Sequence, residues 1–211
     1  MKKIILLFSF IVVSCTTNTQ KENPIKLFQQ DLIDKGLTGS NVAMVYQNGE
    51  IVYNEIVNSG AVGDADIDEN TIFAIHSMTK TVTTVAMMIL LEQNLYQLDD
   101  ELSKYLPEYS NVNCKGSDGI YPCKNKIKVI DLLTHRSGYT YYARNGSNWL
   151  FNLHTDLVPD YINTSRFDNL DDFSKAVALQ PLDFEPGTMY TYGLNQAILG
   201  RLIEVISGKS F

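Results

Sequence analysis

The sequence predicts an α/β protein in which helices accompany an antiparallel sheet, and three stretches carry that prediction. Around Asn48-Gly49 the apolar residues alternate, with Val42, Met44 and Tyr46 before the pair and Ile51 and Tyr53 after it. A period of two on both sides of Asn-Gly marks a tight antiparallel hairpin. Over residues 77–94, Val82, Val85, Ala86, Ile89 and Leu90 recur at helical spacing, and 85–91 is apolar almost all round. That pattern predicts a helix buried on most sides. Over 194–206, Leu194, Ile198, Leu199, Leu202, Val205 and Ile206 outline an amphipathic helix that Gly208 stops.

The other elements follow in chain order. Met1-Lys2-Lys3 precedes an apolar run over 4–13, broken only by Ser9; the run is too short to span a bilayer and reads as the core of a secretory signal. Val12-Val13-Ser14-Cys15 resembles a bacterial lipobox, which implies cleavage before Cys15 and lipid attachment to it; the alternative is an ordinary signal with an incidental cysteine. The expected organisation is a signal peptide at 1–14, a polar tether at 15–24 and one domain over 25–211. Residues 24–35 form a weak amphipathic helix. The stretch from Leu98 onward carries a short helix that Pro107 stops. The 127–139 stretch reads as a strand-like entry and a short helix from Asp131 that ends at Gly138. The 139–174 stretch, rich in aromatics, Asn and Asp, reads mostly as loop, with one or two helical turns over 173–179. No internal repeat is present.

Composition narrows the function classes. Hydrophobic residues make up 45% of the 211 residues and aromatics 10%, a composition that supports a packed core and argues against disorder. The 17 basic residues, two of them in the leader, face 24 acidic ones. So acidic a chain is a poor match for nucleic acid. With Cys15 assigned to lipid, Cys114 and Cys123 remain, separated by a turn-forming Gly-Ser-Asp-Gly. Export permits a disulfide between them. The segment holds no histidine and no second cysteine pair, which argues against zinc.

Chemistry enters with Ser77-Met78-Thr79-Lys80. At helical spacing i and i+3 share a face, so Lys80 can lie beside the Ser77 hydroxyl. A serine in the first turn also sits among free backbone N–H groups, where developing negative charge is favoured. A lysine stripped of water has a lowered pKa and can take the hydroxyl proton. The tetrapeptide alone reads more readily as a helix N-cap followed by a surface lysine. The apolar helix that follows weighs toward the nucleophile, because it draws the Lys80 stem into the protein.

Three blocks in order, TIFAIHSMTKTVTTVAMMILLEQNLYQLDDELSKYLPEY, IKVIDLLTHRSGY and FEPGTMYTYGLNQAILGRLIEVISG, resemble landmarks of the serine β-lactamase-related family. That family comprises class C β-lactamases, D-Ala-D-Ala peptidases and related esterases, and Ser-x-x-Lys is the signature of penicillin-binding proteins. The similarity runs from about residue 41 to 211. It implies the β-lactamase/penicillin-binding-protein-like fold, with Ser77 as nucleophile, Lys80 as its base and Tyr192 as the tyrosine of the second motif, which moves the proton. The resemblance places Tyr139, Tyr141, Tyr142, Trp149 and Phe151 at the rim of the substrate cleft, with Tyr139 and Trp149 as the substrate-binding candidates; ordinary loop packing is the alternative. His76 reads as packing and His135 as a structural landmark. No metal or cofactor is called for.

Two departures shape the expected function. The second motif of β-lactamases and peptidases reads Tyr-x-Asn, and Leu194 stands at the Asn position here, a pattern closer to the esterase-like branch. Family members also continue into strands carrying a third motif, Lys-Thr-Gly or His-x-Gly, so the domain is expected to be incomplete at its C-terminus. The reading is a serine hydrolase acting on a small-molecule ester or amide, peptidoglycan-derived molecules included, through a Ser77 acyl-enzyme. It would be membrane-anchored through lipid at the cell envelope. The rival is a non-catalytic envelope binding protein of the penicillin-binding type.

Overall fold

The computed structural model describes residues 23–140 and 167–211, so Cys15 and Trp149 lie outside the described residues. The chain divides into two compact units, Met1–Ala74 and Ile75–Phe211.

In the first unit, α1 (Pro24–Asp34) packs on a hairpin of β1 (Asn41–Gln47) and β2 (Glu50–Val57). Asn23 caps α1 by accepting the Ile25 N–H, and Pro24 sits at the first helical position, where a missing N–H costs nothing. The turn is the one the Asn-Gly pair predicts: Asn48 and Gly49 both take positive φ, 52° and 89°. A bulge next to Val45 and Tyr46 breaks the register, so the strict alternation read from the sequence does not survive the whole length. Helix and hairpin are joined by a buried glutamine. Gln29 donates to Asn41 Oδ1 at 2.9 Å and to the Glu55 carbonyl at 3.2 Å, and accepts the Tyr53 hydroxyl at 2.7 Å. Its polar atoms are therefore satisfied, as burial demands.

The second unit is mostly helical. Its helices are α2 (Thr79–Glu92), α3 (Val129–Leu133), α4 (Leu170–Ala178) and α5 (Asn195–Ser207), with a small hairpin of β3 (Asn113–Gly116) and β4 (Gly119–Pro122). Helix α5 is the hub: α2, α3 and α4 all pack on it, and its Ile198, Leu199 and Leu202 are fully buried. Gly208 ends it with φ 68°, the left-handed stop expected of a glycine. Asn169 caps α4 by accepting the Asp172 N–H at 2.8 Å, which extends into a full helix what the sequence predicts as a turn or two.

Several elements differ from the sequence reading. The stretch around Pro107 forms two 3-10 turns, Leu102–Lys104 and Pro107–Tyr109, the proline beginning the second instead of ending a helix. The stretch between the cysteines is a strand pair, with Gly116 opposite Gly119 and Leu182 extending it through reciprocal bonds with Asn113 and Lys115. Cys114 and Cys123 are disulfide-bonded across the base of that hairpin, with their Cα atoms 5.1 Å apart. The largest difference is α2. Thr83, Met87 and Leu90 are buried, but Val82, Val85 and Ile89 are 59%, 53% and 47% exposed. An apolar side chain is buried only where something packs on it, and α5 covers one face of α2. Among the described residues no helix is long and apolar enough to cross a membrane.

Because α5 supports the other helices, Leu202→Ala is expected to destabilise the chain by about 2–5 kcal/mol through the cavity it leaves. Urea denaturation followed by circular dichroism checks this, and an unchanged midpoint would remove α5 from the centre of the core.

Candidate active site

Ser77 stands in the 3-10 turn His76–Met78 that leads directly into α2. No side chain caps that turn, so Ser77 does not spend its hydroxyl as an N-cap. The residue before it, His76, has φ 44°, an uncommon conformation for a non-glycine residue and one that bends the chain sharply into the turn.

Lys80 lies one helical turn on, and its Nζ donates to Ser77 Oγ at 3.1 Å. Tyr192 arrives from the segment that precedes α5 and donates its hydroxyl to the same Oγ at 3.0 Å. Lys80 Nζ also lies 4.9 Å from the centre of the Tyr192 ring. The three residues expected from the sequence to act together thus converge on one oxygen. Hydrogen bonding from Lys80 first, then from Ser77, holds the Tyr192 phenol below its ordinary value, against a smaller opposing effect of burial. Ser77 is exposed and Tyr192 is 44% exposed, so the site is open to a ligand from solvent.

A second layer fixes Tyr192. The Leu132-Leu133-Thr134-His135-Arg136-Ser137-Gly138 block is laced to the 183–191 segment through the backbone. Asp183 N–H donates to the Gly138 carbonyl at 3.0 Å, Gly187 N–H to Arg136 at 2.9 Å, and Thr191 N–H to His135 at 2.9 Å. Gly193 passes so close to this block that a Cβ on it would lie 2.2 Å from the Tyr139 carbonyl oxygen; only glycine fits. Gly138, at φ 97°, has the same constraint from the Phe184 carbonyl, 2.8 Å from where its Cβ would stand. Ser137 donates to Asn195 Oδ1, and Asn195 Nδ2 lies 3.0 Å from His135 Nδ1.

Tyr139 corrects an expectation. Placed by the family resemblance at the rim of a substrate cleft, with loop packing as the alternative, it is 2% exposed and packs edge-on against Tyr109 at 5.9 Å. Its ring belongs to the core, because the chain turns inward after Gly138. Aromatic residues that do face solvent beside the site are Tyr190, 67% exposed, and Tyr192 itself. Leu194 and Asn195 are both buried, so neither side chain of the second motif presents an amide to a substrate. Sequence reasoning passed over Ser137, the bonds that tie Asn195 to Ser137 and His135, and the packing role of Gly193. Their signal was the spacing of two motifs 58 residues apart, which means nothing until the chain is folded.

The model of the Beta-lactamase family matches residues 26–211, and the chain belongs to that family. It is 30% identical over 189 residues to Esterase EstB of Burkholderia gladioli, covering 87% of this chain and 44% of that protein. Among solved structures it resembles EstCE1, described as a hydrolase with promiscuous acyltransferase activity, with a TM-score of 0.70 at 23% identity over 88% of this chain and 47% of the other. It also resembles the octameric penicillin-binding protein homologue from Pyrococcus abyssi, with a TM-score of 0.61 at 20% identity over 88% of this chain and 39% of that one. These likenesses give the β-lactamase/penicillin-binding-protein-like fold, of which the helices and small antiparallel sheets described above are a part. The chain spans about half the length of the relatives it matches.

Since Lys80 is what lowers the Tyr192 phenol, an ultraviolet titration of the wild type minus Tyr192→Phe is expected to place its midpoint below the free value of about 10. Lys80→Met should move that midpoint back up; an unshifted midpoint in both proteins would refute the coupling.

Proposed function

We propose that this chain carries the nucleophile Ser77, the proton-transfer tyrosine Tyr192 and the lysine Lys80 that supports them, as parts of a serine hydrolase that cleaves an ester or amide through a Ser77 acyl-enzyme. The observation that carries the reading is the convergence of Lys80 Nζ and the Tyr192 hydroxyl on Ser77 Oγ, at 3.1 and 3.0 Å. A hydroxyl receiving two hydrogen bonds is not yet a nucleophile. It becomes one when Tyr192, 44% exposed, has lost its own proton to solvent, for then the bond reverses and Ser77 O–H donates to the phenolate. The ammonium of Lys80 beside the ring favours that phenolate, since it offsets the new negative charge. Ser77 Oγ then attacks the substrate carbonyl while its proton passes to Tyr192. The same proton goes to the leaving oxygen or nitrogen as the tetrahedral intermediate collapses. Water then attacks the acyl carbonyl and loses a proton to Tyr192; as this second intermediate collapses, the bond to Ser77 Oγ breaks, Tyr192 passes that proton to Oγ, and the acid leaves. The Ser77 N–H, in the first turn before the helical ladder begins, is a candidate donor to the oxyanion.

An ester is favoured over a β-lactam or a peptidoglycan peptide. Leu194 stands where those substrates meet an asparagine, Asn195 is committed to Ser137 and His135, and the esterase EstB is 30% identical. The same proposal includes export and a lipid anchor at Cys15, which would hold the site at the envelope surface with a small-molecule substrate as partner. A purely binding role, suggested by the likeness to a penicillin-binding protein homologue, is separated by covalent chemistry. A fluorophosphonate should label the wild-type chain and not Ser77→Ala, with the rate down at least about 100-fold; equal labelling of both would sink the enzymatic reading. Turnover of p-nitrophenyl butyrate should exceed that of nitrocefin, and the opposite order would overturn the preference for esters.

A further inference from the structure

We propose that His135 is the positioning residue for Tyr192, gripping the chain on both sides of the tyrosine so that its hydroxyl stays on Ser77 Oγ. The inference rests on the reading of Ser77 as nucleophile and adds a residue that does not touch it.

The geometry is specific. His135 holds φ 55°, a left-handed conformation uncommon outside glycine that histidine, like asparagine, adopts more readily than most residues. That conformation turns its carbonyl and its ring toward the same segment. The carbonyl accepts the Thr191 N–H at 2.9 Å, one residue before Tyr192. Nδ1 accepts the Gly193 N–H at 3.4 Å, one residue after it. The ring lies 5.0 Å from the Tyr192 ring at an interplanar angle of 32° and meets Tyr190 edge-on at 6.1 Å. Tyr192 is thus pinned through its backbone on both sides and through the face of its ring.

The hydrogen bonds also define the ring's proton. Asn195 is fully buried, and its Oδ1 accepts from Ser137, so the end facing His135 at 3.0 Å is the Nδ2 donor. Gly193 N–H is a donor by nature. Two donors on Nδ1 require that nitrogen to be bare, which places the single proton of the neutral ring on Nε2. A protonated ring would set a third N–H against those two and release the grip. Among the described residues, the groups facing the ring are Lys80 from α2, Tyr190 and Tyr192 from the segment before α5, and Asn195 from α5 itself, with no carboxylate that would favour the cation. Burial, then the charge on Lys80, holds His135 below its ordinary value. With the folded value lowered, the neutral contact is intact above the unfolded value of about 6.5 and is lost as pH falls through the folded one.

The test measures the fluorophosphonate labelling rate of the full chain across pH. Wild type should lose rate with a slope of about one on the acid side of the Tyr192–Lys80 ionisation, steepening toward about two below the His135 midpoint. His135→Asn keeps an acceptor near the position of Nδ1, tolerates positive φ and does not titrate. It is expected to label within about threefold of wild type at mildly alkaline pH and to keep a slope of about one throughout. His135→Leu, folded by circular dichroism, should label roughly 10- to 100-fold more slowly, the cost of a misplaced reacting group. A wild-type slope that never steepens, or Asn and Leu variants slowed equally, overturns the positioning role. Should the Leu variant fail to fold, the wild-type and Asn profiles decide alone. Labelling of Ser77→Ala at the wild-type rate would overturn both this inference and the nucleophile; silence of Ser77→Ala with an unsteepened wild-type profile removes His135 only.

Discussion

The seating of α2 on α5 is the constraint on which the rest of the second unit depends. Ser77 stands in the turn that opens α2, and Tyr192 stands three residues before α5 begins. A hydroxyl-to-hydroxyl distance of 3.0 Å across 115 residues of chain is therefore set by how two helices pack. Close-packed interiors transmit such constraints because a shift of one side chain must be taken up by its neighbours. Burial of Ile198, Leu199 and Leu202 provides the force, and the polar contacts near Ser77 provide the register.

Around that register the polar groups divide by exposure. Ser77 and Tyr192 face solvent, whereas Ser137 and Asn195 are fully buried. The buried pair holds its geometry without competition from water, which is what a supporting layer needs. Lys80 serves both layers with one charge: it lowers the Tyr192 phenol by hydrogen bonding and disfavours a proton on His135 through space. A cation there helps a phenolate form and discourages a second cation, so the two ionisations are pushed in directions that suit a base and a neutral support.

Much of the fold was legible because its signals are local. The Asn48-Gly49 turn needs two positive φ values that this pair adopts at little cost, and Gly208 does the same for the end of α5. Ser77 and Lys80 could be paired from helical spacing alone, since i and i+3 share a face in any helix. The strands on either side of the disulfide and the full length of α4 were not legible. Both depend on distant partners: Leu182 extends the β3–β4 pair, and Arg201 of α5 bonds Asp171 of α4 at 2.8 Å. The same holds for Tyr139, an aromatic residue in a loop-like stretch that a single turn at Gly138 sends into the core.

The sequence by itself determined the vocabulary of this protein: a serine and lysine one helical turn apart, a tyrosine in a distant block, a hairpin, and helices with apolar faces. Those follow from residue type and spacing, which act over a few residues at most. Only the tertiary structure decided that Tyr192 meets Ser77, that His135 grips the chain on either side of it, and that Val82, Val85 and Ile89 are left exposed while Thr83, Met87 and Leu90 are buried. Burial and long-range hydrogen bonds depend on what comes to stand opposite each face, and no spacing within a helix contains that information.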